Sequence, residues 1–393
     1  MGNQVLEEKI LKIDKSKWKL TKLGTLAEDI SVRVDKPGNS EYDRFVGLDN
    51  FISGDIKIKS WASTKNLTSS AKAFKAGDIL FARRNAYLRR ASLVDFDGCC
   101  SGDAFVIREN LDKVVSGFLA FLMNTNSLWD YANSNAAGTM SKRVKWRDLA
   151  EYEFLLPPKA EQARLAELLW AMDEVIEKEK GILDITSKVI DAKRRELNQG
   201  NYKEYKGSEI TTLITKGASP KWQGFDYTDK GVLFVTSENV LEDAIDLKEK
   251  KFLPIGFHEK QKRSKLMARD VLINIVGASI GRIAMFNEDF KDANINQAVS
   301  LFRVNQTKVK PEYIVQYLLE ESNKQRLLNN QSATARPNLS LKDLNDFKFY
   351  LPPILEQEKF IEQYEKLKNI NQLSSDKIQA SQSLQKSLIN QIF

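Results

Sequence analysis

The stretch LLPPKAEQ at residues 155–162 returns as YLPPILEQ at residues 350–357, 195 positions further along the chain. The same shift carries Asp148 onto Asp343. A segment that recurs in this way indicates an internal duplication, and the period is long enough for each copy to hold a whole domain.

Two further matches lie upstream, with slightly smaller shifts. AGDIL (76–80) corresponds to ARDVL (268–272), and FVGLDN (45–50) corresponds to FVTSEN (234–239). The matched segments keep their order, and the shift between them changes by only a few positions. The two halves therefore differ by small loop insertions. The chain is therefore predicted to contain one structural plan twice.

Each half begins with a region of short β-rich runs punctuated by Gly, Asn and Asp, with helical segments predicted near residues 115–130 and 310–329. The strand-like runs are DILFARR (78–84), AFVIR (104–108), VLINIV (271–276) and VSLFRV (299–304). This pattern predicts a domain in each half that mixes strands and helices.

The first Pro-Pro pair begins a long helix, predicted from Lys159 to about Leu197, since proline is tolerated in a first turn and the next proline is Pro220. Apolar residues come in pairs every seven positions, which is typical of a coiled-coil seam. These residues are Leu168, Leu169, Val175, Ile176, Ile182, Leu183, Val189 and Ile190.

The second long helix is predicted from Leu355 to Phe393. Its seam is weaker, because Asn369, Asn371, Ser374 and Ser375 interrupt it, but the helix is still amphipathic. The apolar residues of this seam are Phe360, Tyr364, Leu367, Ile370, Ile378, Leu384, Leu388 and Ile392.

Two helices of similar length, each with one apolar face, bury those faces most simply against each other, and we expect them to lie antiparallel. The alternative is that each helix packs on its own domain. The predicted fold class is α+β: two similar mixed α/β domains separated by two long antiparallel coiled-coil helices, with a pseudo-two-fold internal repeat. The predicted boundaries are 1–158 and 200–353 for the domains and 159–199 and 354–393 for the helices.

Composition favours a folded protein of the cytoplasm that can bind a polyanion. The chain has 393 residues, a net charge of +7 and a pI near 9.0, which permits contact with phosphates. No stretch reads as a signal peptide or a membrane span. Cys99 and Cys100 are adjacent, a poor geometry for a disulfide, so we expect them to be buried small apolar residues.

The sequence lacks recognisable catalytic equipment. His258 is the only histidine, which rules out a multi-histidine metal site, and we expect this histidine at the surface rather than in a Ser-His-Asp or Cys-His arrangement. No P-loop occurs. Both Pro-Pro pairs follow leucine, unlike the Asn/Asp-Pro-Pro strand end of amino-methyltransferases. The carboxylates Asp243, Asp246 and Glu249 are interpreted as a charged loop. No catalytic residue and no metal site are predicted.

Nucleic-acid contacts in the first half are predicted at an arginine-rich turn that directly follows a strand. Arginine can contact phosphates and can also bind a guanine edge through two hydrogen bonds, although some of these arginines are expected to be structural. The candidates are Arg83, Arg84, Tyr87, Arg89 and Arg90, with Lys142 and Arg143 nearer the Pro-Pro helix.

The second half replaces this turn with a glycine- and amide-rich one. Amides suit adenine edges, but they are equally common as caps of turns. The candidates are Lys216, Lys221, Trp222, Arg282, Asn294, Asn296, Gln297, Arg336 and Asn338. Diverged units of this kind are suited to two different half-sites, whereas identical units would read repeated ones.

The order of variable region, Leu-Pro-Pro-x-x-Glu-Gln, long helix, and the same again resembles the specificity subunits of Type I restriction-modification enzymes over essentially the whole chain. The duplicated helix start is the most specific element. The resemblance implies a non-catalytic subunit in which each target-recognition domain reads one half of a bipartite double-stranded DNA site, in a bacterial or archaeal cytoplasm.

The resemblance also implies partners. The long helices would dock two methyltransferase subunits, and restriction-translocase subunits would join the complex. S-adenosylmethionine, ATP and Mg would then be bound by those partners, and no cofactor by this chain. The docking residues implied are the eight apolar residues of the first helix with Phe360, Tyr364, Leu367, Ile378 and Leu388. The alternatives are a specificity subunit of a related fused methyltransferase-nuclease system and a protein-binding scaffold that does not bind DNA.

Overall fold

The computed structural model describes residues 13–138, 141–287, 290, 292–329 and 338–393. The chain divides into two compact units. Unit 1 comprises the residues up to Gly181 together with Ser374–Phe393, and unit 2 comprises Ile182–Leu373. Each unit therefore contains one half of the repeat and a part of both long helices.

Unit 1 is built from short strands and short helices, followed by the start of the first long helix. The strands are β1 (Lys19–Lys22), β2 (Ala27–Asp29), β3 (Val32–Val34), β4 (Arg44–Val46), β5 (Ala62–Ser63), β6 (Ala71–Phe74), β7 (Ile79–Ala82), β8 (Ala91–Leu93), β9 (Gly98–Cys100), β10 (Ala104–Glu109) and β11 (Glu153–Leu156). The helices are α1 (Leu119–Leu122), α2 (Asn126–Ser134), α3 (Trp146–Leu149) and α4 (Lys159–Glu196).

Unit 2 repeats this series. The strands are β12 (Lys203–Lys206), β13 (Thr211–Lys216), β14 (Val232–Val235), β15 (Phe252–Leu253), β16 (Asp270–Asn274), β17 (Ile283–Phe286), β18 (Ala293–Ile295), β19 (Val299–Val304) and β20 (Lys348–Leu351). The helices are α5 (Gly207–Ile210), α6 (Ile255–Lys260), α7 (Pro311–Leu319), α8 (Glu321–Asn329), α9 (Leu341–Asp346) and α10 (Ile354–Ile392).

Two of the three sheets described in each unit share one topology, whereas the third has five strands, β3-β6-β9-β4-β5, in unit 1 and three, β15-β14-β18, in unit 2. A central four-stranded sheet has the order β2-β10-β7-β8 in unit 1 and β13-β19-β16-β17 in unit 2. A two-stranded sheet, β1-β11 or β12-β20, precedes the long helix. The remaining sheet contains a parallel pair, β4 with β9 or β14 with β18. The predicted mixed domains and the predicted duplication are both confirmed.

The central sheet is covered on both faces, which explains its continuous apolar runs. In β7, Ile79 and Phe81 belong to one core cluster and Leu80 to another. In β16, Ile273 and Leu272 divide in the same way. A strand with two buried faces cannot alternate apolar with polar residues, so both predicted runs read as unbroken.

The glutamine of the Pro-Pro-x-x-Glu-Gln segment joins each long helix to the domain that precedes it. The buried Gln162 side chain donates to the Pro157 carbonyl at 2.9 Å and accepts from the Val115 backbone N–H at 3.0 Å. The buried Gln357 donates to the Pro352 carbonyl at 2.9 Å and accepts from the Lys310 N–H at 2.9 Å. The repeated motif is therefore a structural attachment.

The two long helices lie antiparallel within each unit. In unit 1, Lys377 Nζ donates to Glu179 at 2.6 Å, and Gln385 Nε2 donates to the Leu169 carbonyl at 3.3 Å. Higher numbers on one helix thus meet lower numbers on the other. In unit 2, the Arg194 guanidinium lies 5.9 Å from the centre of the Tyr364 ring. The predicted helix pairing is confirmed.

The apolar pairs of α4 are split between core and surface. Leu169, Ile176 and Ile190 are buried and Leu183 is half-buried. The other members are between 38% and 45% exposed: Leu168, Val175, Ile182 and Val189. Only one member of each pair therefore belongs to the helix–helix seam.

The seam predicted for α10 is partly wrong. Tyr364, Leu388 and Ile392 are buried, and Phe360, Leu367 and Ile378 are half-buried. Ile370 and Leu384 are exposed, whereas Ser374 and Gln385 are buried. The buried positions advance by alternating steps of three and four residues from Gln357, and this register places polar residues in the seam.

His258 and Asp243 differ from what the sequence predicts. His258 is not at the surface: it is 7% exposed, and its Nδ1 lies 2.6 Å from Asn294 Oδ1. Asp243 is a structural anchor for α10, because its carboxylate accepts from Tyr364 Oη at 2.5 Å and from Lys368 Nζ at 2.7 Å. The charged-loop interpretation of Asp243 missed this role.

The expectation for the cysteine pair agrees with the structure. Cys99 and Cys100 are buried free thiols, and burial raises their pKa values to about 11 and about 12. Within the described ranges, no helix is both long enough and apolar enough to span a membrane. The same residues contain no group of three His, Cys, Asp or Glu side chains that could hold a metal ion.

Candidate nucleic-acid interface

The arginine-rich turn of unit 1 and the glycine-rich turn of unit 2 occupy equivalent places, one after β7 and the other after β16. Asn85 and Arg89 have left-handed backbone angles, with φ of 55° and 49°. Gly277 and Gly281, 192 positions later, have φ of 83° and 79°. Non-glycine residues adopt this conformation at a cost of about 1 kcal/mol each. Unit 1 therefore retains side chains at two strained positions.

Three segments meet at each turn, and we call this arrangement the three-segment frame. In unit 1 it comprises residues 83–85, 101–103 and 141–144. The Arg83 N–H donates to the Asp103 carbonyl at 2.9 Å, and the Val144 N–H donates to the Arg83 carbonyl at 2.9 Å. These bonds bring the predicted cluster Lys142-Arg143 beside the predicted turn.

The three-segment frame of unit 2 comprises residues 275–277, 296–298 and 338–339. Here the Ile275 N–H donates to the Ala298 carbonyl at 2.9 Å, and the Leu339 N–H donates to the Ile275 carbonyl at 3.0 Å. The backbone pattern is the same as in unit 1. It equates Arg84 with Val276, Asp103 with Ala298, and Arg143 with Asn338.

The tip of the frame in unit 1 carries an arginine pair, Arg84 and Arg143, on either side of Asp103. Arg143 donates from Nε to Asp103 Oδ1 at 2.9 Å and from Nη2 to Oδ2 at 3.4 Å. Arg84 donates from Nε to Ser141 Oγ at 2.8 Å, and its Nη1 lies 3.7 Å from Asp103 Oδ2. The two arginine side chains are 43% and 41% exposed.

The contacts within this cluster favour the ionised forms of Asp103 and Arg143. The hydrogen bond from Arg143 lowers the pKa of Asp103, and the nearby charges of Arg84 and Arg83 act in the same direction. The same hydrogen bond raises the pKa of Arg143. Two guanidinium groups and one carboxylate leave a net positive tip, which suits contact with DNA.

The other predicted arginines of the turn are occupied within unit 1. The half-buried Arg83 guanidinium lies 5.5 Å from the centre of the Phe105 ring. Arg89 donates to Asn126 Oδ1 at 2.8 Å and to Asp130 at 3.0 Å. Arg90 donates to the Leu48 carbonyl at 2.9 Å. Tyr87 is 68% exposed and Lys142 is exposed, so these two remain surface candidates.

The tip of the frame in unit 2 is apolar and amide-rich. Val276 is 40% exposed, and Asn338 and Gln297 are exposed. The side chain of Asn296 caps its own turn, because its Oδ1 accepts from the Ala298 N–H at 3.1 Å. Asn296 and Gln297 line one small cavity of about 150 Å³ together with Lys221.

The remaining candidates of unit 2 fall into three groups. Lys216 and Arg282 are exposed, and Trp222 is 91% exposed on a short turn. Asn294 is a wrong prediction, because it is buried and its Nδ2 donates to Ser264 Oγ at 2.8 Å. Its amide supports the β18 region from inside. Arg336 lies outside the residues that the structure describes.

Asp103 is the functional candidate that sequence reasoning missed. It lies in the segment SGDA at residues 101–104, in a region that aligns only loosely with unit 2 by residue type. The strands restore the alignment, since β10 and β19 are offset by 195 positions. An acidic residue that interrupts an otherwise basic surface was the available signal.

A family model for the Type I restriction modification DNA specificity domain matches residues 15–187 and again residues 199–381. The chain belongs to this family. The two matches correspond to the two halves of the repeat, so each unit carries one DNA specificity domain.

Curated relatives agree with this assignment. The Type I restriction enzyme EcoDI specificity subunit of Escherichia coli is 32% identical over 116 residues, which cover 29% of this chain and 26% of the relative. The EcoBI specificity subunit, also of Escherichia coli, is 25% identical over 264 residues, which cover 60% of this chain and 55% of the relative. These matches thus span about a quarter and about half of the relatives' lengths.

Solved structures share the fold. The Type I restriction-modification S subunit from M. genitalium aligns with a TM-score of 0.65 at 17% identity, over 98% of both chains. A chain from a structural study of complex assembly and conformational transition in the type I R-M system aligns with a TM-score of 0.58 at 19% identity, over 96% of this chain and 97% of the other. Two tandem specificity domains with two long helices are therefore an architecture of the family.

Proposed function

We propose that this chain is a DNA-reading specificity subunit in which residues 1–158 and 200–353 each recognise one half of a split double-stranded site. The observation that carries the proposal is the three-segment frame. It occurs in both units with the same backbone hydrogen bonds, yet it presents arginines in one unit and Val276 with Asn338 in the other. One scaffold with two different tips suits two different half-sites.

Catalysis is assigned to partners in this proposal. The relatives are named specificity subunits of restriction enzymes. The candidate site residues of this chain have the side-chain types that contact DNA phosphates and base edges. Methyltransferase subunits would bring S-adenosylmethionine, and restriction-translocase subunits would bring ATP and Mg. The whole complex would act on DNA in the cytoplasm of a bacterial or archaeal cell.

The exposed apolar row of α4 is proposed to dock methyltransferase subunits. In the part that belongs to unit 1, Leu168 and Val175 are 40% and 45% exposed. In the part that belongs to unit 2, Ile182, Ile185 and Val189 are 41%, 62% and 38% exposed. Apolar side chains at seven-residue intervals on a solvent-facing helix mark a protein-binding surface.

The proposal is tested by mapping methylated adenines in cells that express a methyltransferase subunit of a Type I system, with and without the chain. We expect a split motif that appears only when the chain is present. An active methyltransferase whose motifs do not depend on the chain would contradict the proposal and would favour a scaffold that does not bind DNA.

Partner docking has a separate test by co-purification with the methyltransferase. Changing Leu168 and Val175 to Glu should abolish co-purification, because a charge would be buried in the docked surface. Leu384→Glu is the matched control, since Leu384 is 64% exposed on the other long helix. Equal retention of the methyltransferase by both variants would exclude this surface.

A further inference from the structure

We propose that the half-site read by unit 1 contains a guanine, and that Arg143, held by Asp103 beside Arg84, is the residue that selects it. This inference rests on the proposed function and specifies it further. It names the base that unit 1 recognises and gives Asp103 a positioning role. A surface that bound DNA through its positive charge alone would have neither feature.

The hydrogen bonds that Arg143 makes within the described residues leave one edge of its guanidinium available to a base. A guanidinium has five N–H donors in a planar fork. Arg143 gives Nε and one N–H of Nη2 to the two oxygens of Asp103, at 2.9 and 3.4 Å. The remaining edge, formed by Nη1 and the outer N–H of Nη2, carries parallel donors. Guanine presents O6 and N7 as adjacent acceptors in the major groove, and this pair matches that edge.

Asp103 reduces the entropic cost of recognition. A free arginine side chain loses rotamer entropy when a ligand fixes it. Arg143 is already oriented by Asp103 although its side chain remains 41% exposed. Arg84 is oriented from the other side by Ser141. Pre-organisation of this kind improves both affinity and selectivity.

The carboxylate also disfavours the alternative role of a phosphate clamp. Asp103 offsets one of the two arginine charges, so an anion at the free edge of Arg143 is attracted less strongly than it would be by the arginine pair alone. Hydrogen bonds to a neutral base edge depend less on that net charge. The carboxylate could in addition accept a hydrogen bond from a cytosine amino group. The cluster therefore suits a G·C pair better than the DNA backbone.

Unit 2 lacks this device at the equivalent positions. Val276, Ala298 and Asn338 stand where unit 1 has Arg84, Asp103 and Arg143. An exposed valine suits a thymine methyl group, and an asparagine suits an adenine edge. Guanine selection by this cluster is thus a property of unit 1.

The test is selection of bound duplexes from a randomised DNA library by the full-length chain in complex with its methyltransferase. We expect a guanine at one position of one half-site. Arg143→Lys keeps the charge but lacks the planar fork, so it should reduce discrimination at that position by roughly 5- to 150-fold and leave the salt dependence unchanged. Asp103→Ala, which introduces the residue found in unit 2, should relax the same position.

Arg147→Gln is the matched control, because Arg147 is a 76% exposed arginine in the same unit, outside the cluster. It should leave the motif unchanged. A split motif with no guanine in the unit 1 half, or a uniform loss of affinity for all sequences in Arg143→Lys, would overturn the inference while the proposed function stands. Absence of any split motif would instead be a failure of the proposed function.

Discussion

Unit 1 and unit 2 are alike inside and different at their tips. Each contains a buried aspartate that binds an arginine through both oxygens: Asp78 with Arg108, and Asp270 with Arg303. All four of these distances are 2.7 Å. The equivalent surface positions, by contrast, carry arginine and aspartate in one unit and valine, alanine and asparagine in the other. The internal ion pair stabilises the scaffold, and the tips are free to diverge.

The largest effect should come from breaking the shared interior. Asp78→Ala and Asp270→Ala each remove a carboxylate that is 2% exposed, and with it the ion pair to the arginine and a hydrogen bond from a backbone N–H. We expect each to lower the free energy of unfolding by about 3 kcal/mol, by equal amounts in the two units. Chemical denaturation measures this, with the exposed Asp229→Ala as control. A large loss in only one unit would show that the two pairs are not equivalent.

The second-largest loss of stability should come from breaking the attachment of the long helices. Gln162→Ala and Gln357→Ala each remove the donor to a buried proline carbonyl and the acceptor of a half-buried backbone N–H, so we expect losses of about 2 kcal/mol in the free energy of unfolding. Gln363→Ala, at an exposed position of α10, should have no measurable effect. If the two buried variants behaved like this control, the motif would not be the structural attachment that its hydrogen bonds indicate.

A pH effect should distinguish unit 1 from unit 2. Glu109 is 8% exposed, and burial raises its pKa from 4.5 to about 7 against two backbone N–H donors; the equivalent residue of unit 2 is Val304. Between pH 4.5 and about pH 7, the folded chain therefore binds more protons than the unfolded chain. The stabilisation that protonated Glu109 contributes is present at low pH and is lost as the pH rises through about 7.

Glu109→Gln should remove this dependence. Between pH 5 and pH 8, we expect wild type to lose about 2 to 3 kcal/mol of unfolding free energy relative to the variant. Thermal unfolding across this range measures the difference. Glu28→Gln, on the neighbouring strand β2 and exposed, is the control and should track wild type. Parallel curves for wild type and Glu109→Gln would show that Glu109 ionises normally.

The smallest effects on stability should come from the surface. Trp222→Ala removes a side chain that is 91% exposed, so the free energy of unfolding should change by less than about 0.5 kcal/mol. Lys216→Ala should lower DNA affinity uniformly and reduce the slope of log affinity against log salt by about 1. Filter binding over a salt series measures the slope. Lys366→Ala, on α10, should leave it unchanged; an equal change in both variants would indicate a non-specific charge effect.

Much of the fold could be predicted because it repeats. The Pro-Pro segments, the buried strand runs and the seven-residue apolar spacing each have a direct physical meaning, and the structure contains the corresponding elements. The register of α10 could not be predicted, because Ser374 and Gln385 occupy buried seam positions that apolar patterning assigns to Ile370 and Leu384. Polar residues in a helix seam depend on partners that sequence alone does not identify.

The candidate site was predictable only in outline. Arg84 and Arg143 could be listed as basic residues near strands, but their meeting at Asp103 depends on backbone bonds between segments far apart in sequence. Arg89 and Arg90 look equally available in the sequence, yet both are bound within unit 1. Asn294 has the right chemistry for a base edge but lies in the core. Residue type suggests a contact, and burial decides whether it is available.

The most direct test of two independent reading units is to exchange residues 1–158 for those of another specificity subunit and to map methylated sites with the same methyltransferase. We expect one half of the split motif to change while the other half is retained. A change in both halves, or in neither, would show that the two units do not read DNA independently.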